Sequence, residues 1–356
     1  MKKIVLTGGG TAGHVVPNLA LVPNLHAEGF EVHYIGSRSG IEAELATKSG
    51  LPYYGISVGK LRRYFDARNF TDLFRIVKGF FEALVILRRL KPCVVFSKGG
   101  FVVVGVVYAA WLLKIKIVIH ESDLTPGLAT RLVMPFASKV CCTFPETMKR
   151  VPSSKAALTG LPLRHGLHDG CRNKGLEAVG FGDEGNPVLL VMGGSQGSVK
   201  INTFVRECLH DIIRSFRVIH LCGKGNLSGI QLDGYAEFEY VQEDIAHVLA
   251  AADFVLSRAG ASSLFELIAL QKPNILIPLS TGASRGDQIQ NASSAESQDF
   301  SIVLLEENLT KEALLDALST LQKNSGSYIA AMESQNKRDA TKEVVQVILQ
   351  ATETQM

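Results

Sequence analysis

Residues 4–14 read Ile4-Val5-Leu6-Thr7-Gly8-Gly9-Gly10-Thr11-Ala12-Gly13-His14, a short apolar strand followed by a glycine-rich turn and the start of a helix. The pattern returns half a chain later, where Val188-Leu189-Leu190-Val191-Met192 runs into Gly193-Gly194-Ser195-Gln196-Gly197. Glycine lets a turn adopt positive φ angles and approach a ligand closely, and the N–H groups that open the next helix bind anions. The repeat predicts two nucleotide-fold domains that face one cleft, with phosphate chemistry between them.

Composition indicates a globular protein. The 356 residues suffice for two ordinary domains, and 46% of them are hydrophobic while 20% are charged. The six cysteines form no CxxC pair, which predicts buried free thiols in a reducing compartment. The amino terminus predicts no signal peptide, and no uncharged run reaches the roughly 18 to 20 residues that span a bilayer. We therefore expect a soluble protein that can still touch a membrane surface.

Short apolar strands alternate with helices in both halves of the chain, which predicts an α/β fold with parallel sheets covered on both faces. We expect two Rossmann-like domains, over residues 1–162 and 163–329. A polar amphipathic helix from Ile329 to about Thr352 closes the chain. The same reading predicts one helix over Val15–Glu28 and a strand over Phe238–Val241.

The spacing Gly8-x-Gly10-x-x-Gly13 also matches the fingerprint of dinucleotide-binding domains. That fingerprint requires an acidic residue at the end of the second strand, where it holds a ribose. Here the second strand, Glu31–Ile35, ends in Gly36-Ser37-Arg38 without a carboxylate. This disfavours an NAD site and favours a diphosphate that is not part of a dinucleotide.

His14 follows the last glycine of the first turn. A helix N-terminus disfavours a charged imidazole, so a neutral His14 can take a proton from an incoming hydroxyl; the alternative is a histidine that only caps or packs. Further turns follow two more strands, at residues 97–101 and 120–123. Because the carboxyl ends of parallel strands meet at one edge, we expect one pocket lined by His14, Lys98, Gly99, Gly100, His120 and Glu121.

The second half carries a comparable set of donors. Ser195 lies between two turn amides and suits a phosphate, and residues 257–266 form another anion cradle at a helix start. Glu266, one turn into that helix, is spaced to accept both hydroxyls of a ribose; the alternative is a solvated helix carboxylate. The chain has no DxD motif and no metal-spaced cluster. We therefore expect no metal and no cofactor, with helix dipoles and backbone amides stabilising a departing diphosphate.

The segment from Lys60 to Lys91 is basic and apolar at once. It holds nine basic and three acidic residues, a balance of +6 against +3 for the whole chain. Its apolar positions at helical spacing are Phe70, Leu73, Phe74, Val77, Phe80, Phe81, Leu84, Val85 and Leu87. This face is wider than one buried stripe needs, and each basic charge near anionic lipid contributes about 1 kcal/mol. We expect docking to an anionic membrane surface, rather than a solvated basic face, and no nucleic-acid partner.

Six motifs occur in the order and spacing of one known family. They are Gly8-Gly9-Gly10-Thr11-Ala12-Gly13-His14, Lys98-Gly99-Gly100-Phe101, His120-Glu121-Ser122, Gly193-Gly194-Ser195-Gln196-Gly197, Arg258-Ala259-Gly260-Ala261, and Arg285-Gly286-Asp287-Gln288 through Asn291-Ala292. Together they make the chain resemble, over essentially its whole length, the MurG family of peptidoglycan glycosyltransferases. That family transfers N-acetylglucosamine from UDP-N-acetylglucosamine to lipid I, the undecaprenyl-diphosphate-linked muramyl peptide, and forms lipid II.

The resemblance implies a GT-B fold and a peripheral location on the cytoplasmic face of the cell membrane. The first domain, joined by the last helix over about residues 330–356, would bind lipid I, and the second would bind UDP-N-acetylglucosamine. The transfer would invert the sugar without a metal. His14 and Glu121 would be the catalytic acid/base candidates. The acceptor would meet Gly9, Gly10, Lys98, Gly99 and Gly100, and the nucleotide sugar would meet Thr11, Ala12, Gly13, Arg164, Ser195, Ala261, Glu266 and Gln288.

The chain departs from the family pattern at two points: Ala12 replaces a second glycine, and Ser122-Asp123 replaces Gln-Asn. Three alternatives remain open from the residues. A related transferase could act on another lipid such as diacylglycerol, using the same donor site. A UDP-N-acetylglucosamine 2-epimerase would need no lipid-facing surface, which the basic segment argues against. A non-catalytic lipid-carrier-binding protein would not need two phosphate sites.

Overall fold

The structure, a computed structural model, describes residues 1–59, 68–194, 197–241, 244–281, 286–335 and 339–353. For residues 68–71, 73 and 335 it describes the backbone alone. The chain divides into two compact units. The first unit comprises Met1–Arg164 and Arg338–Met356, and the second comprises His165–Lys337.

Strands and helices alternate along the chain. The strands are β1 (Lys2–Thr7), β2 (Phe30–Ser37), β3 (Tyr53–Ile56), β4 (Val94–Ser97), β5 (Lys116–Glu121), β6 (Lys139–Cys142), β7 (Ala156–Leu158), β8 (Val188–Met192), β9 (Arg217–Leu221), β10 (Tyr235–Phe238), β11 (Phe254–Ser257), β12 (Asn274–Leu276) and β13 (Ser301–Val303). The helices are α1 (Ala12–Ala20), α2 (Val22–Ala27), α3 (Ile41–Lys48), α4 (Arg68–Leu90), α5 (Val102–Leu112), α6 (Leu128–Val133), α7 (Pro145–Met148), α8 (Arg172–Ala178), α9 (Val199–Glu207), α10 (Leu209–Ile212), α11 (Ile245–Ala251), α12 (Ala261–Ala269), α13 (Asp287–Glu296), α14 (Lys311–Lys323), α15 (Ser325–Gln335) and α16 (Ala340–Glu353).

The first unit contains a seven-stranded parallel sheet in the order β3-β2-β1-β4-β5-β6-β7. Alternate residues of β1 point to opposite faces of this sheet. Val5 packs into a core with α4 and α5, whereas Ile4 and Leu6 pack into a core with α1, α2 and α16. Burial on both faces explains why these strands are apolar throughout, as a doubly wound sheet requires. The predicted Rossmann-like fold is confirmed for this unit.

The second unit repeats the architecture with a six-stranded parallel sheet in the order β10-β9-β8-β11-β12-β13. In both units the strand that precedes the main glycine turn lies inside its sheet, beside the point where strand order reverses. Ligands of doubly wound sheets bind beyond the carboxyl ends of the strands at that point. The confirmed fold therefore puts each glycine turn at the ligand-binding edge of its own unit.

Three predicted elements differ from the structure. The helix expected over Val15–Glu28 is two helices, α1 and α2, because Pro23 in the first turn of α2 cannot donate the hydrogen bond that a continuous helix needs. The strand expected over Phe238–Val241 is β10, which begins three residues earlier, at Tyr235. Tyr235 packs into the core of the second unit. The charge of Glu237, which pairs with Arg206, interrupts the apolar pattern and obscured this strand in the sequence.

The single helix expected at the carboxy terminus is also two helices. Met332 of α15 packs into a core of the second unit, and Ile348 of α16 packs into a core of the first. Asp339 marks the restart of the helix, because its side chain accepts a hydrogen bond from the Lys342 N–H group at 3.1 Å. This N-terminal cap was the sequence signal for the break.

Helix α4 has two apolar faces. One packs against α5 and buries Ala83 and Leu87. The other exposes a stripe at helical spacing, in which Phe74 is 77% exposed, Phe81 58% and Val85 68%. Exposed basic residues on the same helix are Arg75, Lys78, Arg88 and Arg89. Residues 60–67, which begin the predicted basic segment, lie outside the described residues.

The six cysteines are free, as expected, but not all are buried. Cys141, Cys142, Cys208 and Cys222 are buried, Cys93 is half-buried and Cys171 is exposed. No helix in the described ranges has the length and apolar character to cross a membrane.

Candidate active site

The first glycine turn connects β1 to α1, and its glycines meet different needs. A side chain at Gly8 would lie 2.7 Å from the His14 carbonyl oxygen, so close packing excludes one there. Gly10 has open space around it but a φ of +87°, which non-glycine residues rarely adopt. Thr11 then has extended backbone, and α1 begins at Ala12. The turn therefore presents the start of α1, with His14 in its first turn, at the edge of the sheet.

The second turn, Lys98–Gly100, packs directly on the first. The Gly9 N–H group donates to the Gly99 carbonyl oxygen at 3.3 Å, and a side chain at Gly100 would collide with the Gly9 carbonyl oxygen. A side chain at Gly99 would lie 3.4 Å from Nδ1 and Cε1 of His14. The structure thus brings the His14 imidazole over the second turn, where Gly99 has a φ of +104° that non-glycine residues rarely adopt.

Lys98 lies inside this site rather than on its surface. It is 1% exposed, and its Nζ donates to the Ser122 hydroxyl at 2.7 Å. Burial lowers its pKa to about 8, although the nearby carboxylates of Glu121 and Asp123 act in the opposite direction. Lys98 therefore supplies a positive charge behind the turn.

Glu121 ends β5 and holds the loop that follows. Its two oxygens accept hydrogen bonds from the N–H groups of Asp123 at 3.0 Å and Gly127 at 3.1 Å. These bonds give the buried carboxylate a role in ordering the loop, and its acid/base role stays a prediction. The neighbouring His120 donates from Nε2 to the Gly160 carbonyl at 2.8 Å; burial and the Lys98 charge hold its pKa well below 6.5, so it is neutral.

Sequence reasoning missed Glu42, the second residue of α3. Its carboxylate lies beneath the first glycine turn, where Oε2 accepts from the Gly10 N–H group at 3.2 Å. The acidic residue that seemed absent at the end of the second strand is thus present five residues after Ser37, but it points into the protein. Gly36 and Gly40 were the available signal, because both glycines precede α3 closely in sequence without an evident turn requirement.

The glycine turn of the second unit leads from β8 to α9. Gly194 and Gly197 have φ angles of +91° and +73°. Ser198 caps α9, with its hydroxyl accepting from the Ile201 N–H group at 3.3 Å. Ser195 lies outside the described residues, so its contact with a phosphate stays a prediction.

An ionic network of Arg258, Glu306 and Lys200 contacts this turn at Ser198, and the sequence analysis did not predict it. The Arg258 guanidinium contacts the Glu306 carboxylate at 2.6 Å and donates to the Ser198 hydroxyl at 2.7 Å and to the Ile277 carbonyl at 3.1 Å. Lys200 contacts the other oxygen of Glu306 at 3.2 Å. Burial acts to raise the pKa of Glu306, but its bonds to Arg258 and Lys200 outweigh burial and lower it below 4.5.

The turn and the network line one pocket of about 390 Å³ in the second unit. Gln288 also lines it, and its side-chain oxygen accepts from the Leu279 N–H group at 2.9 Å. The described residues that line the pocket are Gly193, Gly197, Ser198, Val199, Lys200, Arg258, Leu279, Gln288 and Glu306. Backbone amides, one amide side chain and two cations, which share the Glu306 carboxylate, surround the glycine turn and suit an anionic group.

Ala261 and Glu266 belong to α12, which follows β11 on the same edge of the sheet. Ala261 begins the helix, with Gly260 before it in extended backbone. Glu266 is 5% exposed, so the alternative of a solvated helix carboxylate is wrong. Neither residue lines the pocket described above.

The remaining predicted residues lie in the first unit. Thr11 is exposed at the start of α1, Ala12 and Gly13 are partly buried there, and Arg164 is partly buried at the end of the unit. Their contacts with a nucleotide sugar stay predictions. Within the described ranges, no group of three or more His, Cys, Asp or Glu side chains could hold a metal ion.

Comparison with known proteins identifies the family. The model of the glycosyltransferase family 28 N-terminal domain matches residues 4–142, and that of its C-terminal domain matches residues 188–348. Relatives from Clostridium kluyveri and Lachnoclostridium phytofermentans are 52% and 54% identical, with 98% of this chain and 99% and 98% of those proteins covered. Both are named UDP-N-acetylglucosamine--N-acetylmuramyl-(pentapeptide) pyrophosphoryl-undecaprenol N-acetylglucosamine transferase.

Solved structures support the fold. MurG from Acinetobacter baumannii matches with a TM-score of 0.75 at 23% identity, over 98% of this chain and 100% of that one. A UDP-GlcNAc 2-epimerase from Neisseria meningitidis bound to UDP-GlcNAc matches with a TM-score of 0.70 at 14% identity, over 98% and 100%. Fold likeness alone does not separate transferase from epimerase. Sequence identity near one half over the full length does, so the chain belongs to glycosyltransferase family 28 and, within it, to the MurG family.

Proposed function

We propose that this chain transfers N-acetylglucosamine from UDP-N-acetylglucosamine to the C4 hydroxyl of the muramyl sugar of lipid I and thereby forms lipid II. The observation that carries the proposal is the full-length identity of about one half with transferases named for this reaction. The two glycine-turn sites support it, because a sugar diphosphate donor and a lipid-diphosphate acceptor each require an anion-binding edge.

The second unit binds the donor. Its pocket combines the turn after β8 with Arg258 and Gln288, and Ser195, Ala261 and Glu266 complete the set by resemblance. Arg164 and the start of α1, at Thr11, Ala12 and Gly13, contact the same nucleotide sugar. Amides at the helix starts stabilise the negative charge that develops on the departing UDP.

The first unit binds lipid I at Gly9, Gly10, Lys98, Gly99 and Gly100. His14 takes the proton from the C4 hydroxyl as its oxygen attacks the anomeric carbon. The new glycosidic bond forms on the opposite face as the bond to UDP breaks, so the transfer inverts the configuration. No metal takes part, because backbone amides and buried cations provide the electrostatic stabilisation.

One assay distinguishes the candidate functions. The protein is incubated with labelled UDP-N-acetylglucosamine and lipid I, and label is measured in the lipid phase and as free sugar. We expect label in the lipid phase that depends on lipid I. Transfer to diacylglycerol instead would make the chain a different lipid glycosyltransferase, and free epimerised sugar without lipid product would make it an epimerase.

Glu266 provides a test of the donor site. Replacing it with alanine removes a buried carboxylate that we expect to accept both ribose hydroxyls. Loss of hydrogen bonds to a charged group should weaken UDP binding by about ten- to a hundredfold, measured by calorimetry. Glu296→Ala, an exposed change on α13, is the matched control. Unchanged UDP affinity in the Glu266 variant would remove this residue from the site.

The protein docks as a peripheral protein on the anionic cytoplasmic face of the cell membrane through the exposed stripe of α4. Phe74, Phe81 and Val85 are exposed apolar side chains on one helix, and Arg75, Lys78, Arg88 and Arg89 are exposed beside them. Apolar insertion combined with basic attraction is the usual basis of interfacial binding. This arrangement suits an enzyme whose acceptor is lipid-linked.

A triple change, Phe74→Ser with Phe81→Ser and Val85→Ser, tests the docking surface. Since insertion of each large apolar side chain contributes roughly 1.5–3 kcal/mol when complete, we expect at least a tenfold loss of binding to vesicles that contain phosphatidylglycerol. Cosedimentation measures the loss, and the melting temperature should change little because these side chains are exposed. Leu227→Ser, at an exposed position of the second unit, is the control. Equal vesicle binding by the triple variant and the control would exclude this surface.

A further inference from the structure

Glu42 makes an unusual set of contacts for a residue near a helix start. It is 1% exposed, and its carboxylate accepts three hydrogen bonds. The donors are the Gly10 N–H group at 3.2 Å, the Ser37 N–H group at 3.0 Å and the Ser37 hydroxyl at 2.5 Å. One side chain therefore ties the first glycine turn to the end of β2 and to the start of α3.

Three glycines leave the space that this carboxylate occupies. A side chain at Gly9 would lie 2.5 Å from Oε1 of Glu42, and one at Gly36 would lie 2.7 Å from its Cγ. A side chain at Gly40 would collide with the carboxylate itself. None of these three glycines has a positive φ, so backbone conformation does not require glycine there. The steric requirement of Glu42 accounts for Gly9 and Gly40, whereas a side chain at Gly36 would meet the Tyr53 hydroxyl as well as Glu42.

Other groups hold the turn on its remaining sides. The Tyr34 hydroxyl donates to the Gly8 carbonyl at 2.8 Å, and Gly9 bonds to Gly99. Asn18 of α1 donates to the Thr7 carbonyl at 3.2 Å. Glu42 supplies the anchor at Gly10, which lies two residues before α1 and four before His14.

We propose that Glu42 is a positioning residue for the transfer: by fixing Gly10, it sets the direction in which α1 leaves the turn and hence where the His14 imidazole meets the acceptor hydroxyl. This inference rests on the proposed function, in which His14 takes the proton. Misplacement of a reacting group by about 1 Å can lower a rate about a hundredfold. Hydrogen bonds to a charged acceptor suit such a role, because they are stronger than neutral ones.

The test compares Glu42→Gln with Glu44→Gln. The first variant keeps the volume of the side chain but removes its charge and one acceptor oxygen. The second makes the same chemical change on the same helix, at a side chain that is 58% exposed and pairs with Lys48. The measurements are kcat and the KM for each substrate, UDP affinity, melting temperature, and hydrogen exchange of the peptide that contains residues 8–14.

For Glu42→Gln we expect kcat to fall by about ten- to a hundredfold, with the KM for UDP-N-acetylglucosamine and the UDP affinity unchanged. Exchange should accelerate in residues 8–14 and not in α16, which belongs to the same unit. Glu42→Ala, which loses both acceptor oxygens, should be slower than Glu42→Gln. Glu44→Gln should match the wild type in every measurement.

Three outcomes bear on the proposal differently. Wild-type kcat in Glu42→Gln would overturn it. A fall in kcat that tracks a lower melting temperature, with faster exchange across the whole first unit, would also overturn it, since Glu42 would then serve general stability. If the wild type itself does not transfer sugar to lipid I, the proposed function fails, while hydrogen exchange still tests the anchoring of the turn.

Discussion

Replacing His14 with alanine should lower kcat by about 10²–10⁴, the usual contribution of a general base, and should leave the affinity for UDP unchanged. The structure supports this expectation, since His14 lies in the first turn of α1 with its ring over Gly99. Steady-state transfer to lipid I measures the loss, and calorimetry measures UDP binding. His14→Gln should be as slow as His14→Ala, because an amide cannot take the proton.

His26→Ala is the matched control for this experiment. His26 is exposed on α2, in the same unit, and should be replaceable without effect on kcat. A kcat for His14→Ala within a few-fold of the wild type would remove His14 from the role of base. Glu121 would then be the remaining candidate, despite the two backbone bonds of its carboxylate.

Replacing Arg258 with alanine should lower the free energy of unfolding by about 3–5 kcal/mol, the usual cost of removing one partner of a buried ion pair. The side chains of Arg258 and Glu306 are 8% and 5% exposed, and the guanidinium also bonds to Ser198 and Ile277. The same change removes a cation from the donor pocket, so UDP binding should weaken together with stability. Chemical denaturation and calorimetry measure the two effects.

Lys200→Ala is the control for charge, because the more exposed lysine pairs with the same carboxylate and its loss should cost about 1 kcal/mol or less. The double variant Arg258→Met with Glu306→Leu should regain most of the stability but not UDP binding, since apolar residues can replace a buried pair. If Arg258→Ala and Lys200→Ala destabilised the protein equally, the buried pair would not be the source of the effect.

The stability difference should also depend on pH. The pKa of Glu306 lies below 4.5 in the folded wild type, so its contribution is fully present above that value and is lost as the pH falls through the folded pKa. In Arg258→Ala the buried carboxylate loses its main partner, and its pKa rises. The difference in free energy of unfolding between the wild type and Arg258→Ala should therefore be largest near pH 7 and should decrease as the pH falls towards 4.5. Denaturation curves at both pH values measure it.

The fold was predictable from short stretches of sequence. Four to six apolar residues, a glycine turn and a helix form a unit whose signals all lie within about fifteen neighbouring positions, and the order of these units implies parallel sheets. Errors arose where one residue outweighed the pattern. Pro23 divides the predicted first helix, and Asp339 caps the start of the last one. Glu237, whose charge is paired with Arg206, made the sequence of β10 look unlike a strand.

The apolar residues of α4 show a limit of periodicity. The pattern predicted an amphipathic helix with more apolar positions than one buried face needs. It could not assign Leu87 to the core and Phe81 to solvent, because packing against α5 decides which side of the helix is covered. Which residues of α4 are buried depends on the element that packs against it, and the spacing of apolar residues within α4 does not specify this.

The glycine turns and their anion-binding character could be predicted from the sequence, because they depend only on glycines, helix starts and hydrogen-bond donors that are adjacent in the chain. The residues that hold those turns in place could not, since each depends on a contact between distant positions: Glu42 with Gly10, 32 residues apart, and Lys200 with Glu306, 106 residues apart. Each of these pairs forms only when the strands of its own unit assemble into a sheet and their ends come close together. The sequence therefore determined the backbone geometry of the glycine turns, which depends on neighbouring residues. Only the tertiary structure determined which charged side chains anchor those turns, because these side chains come from distant positions in the chain.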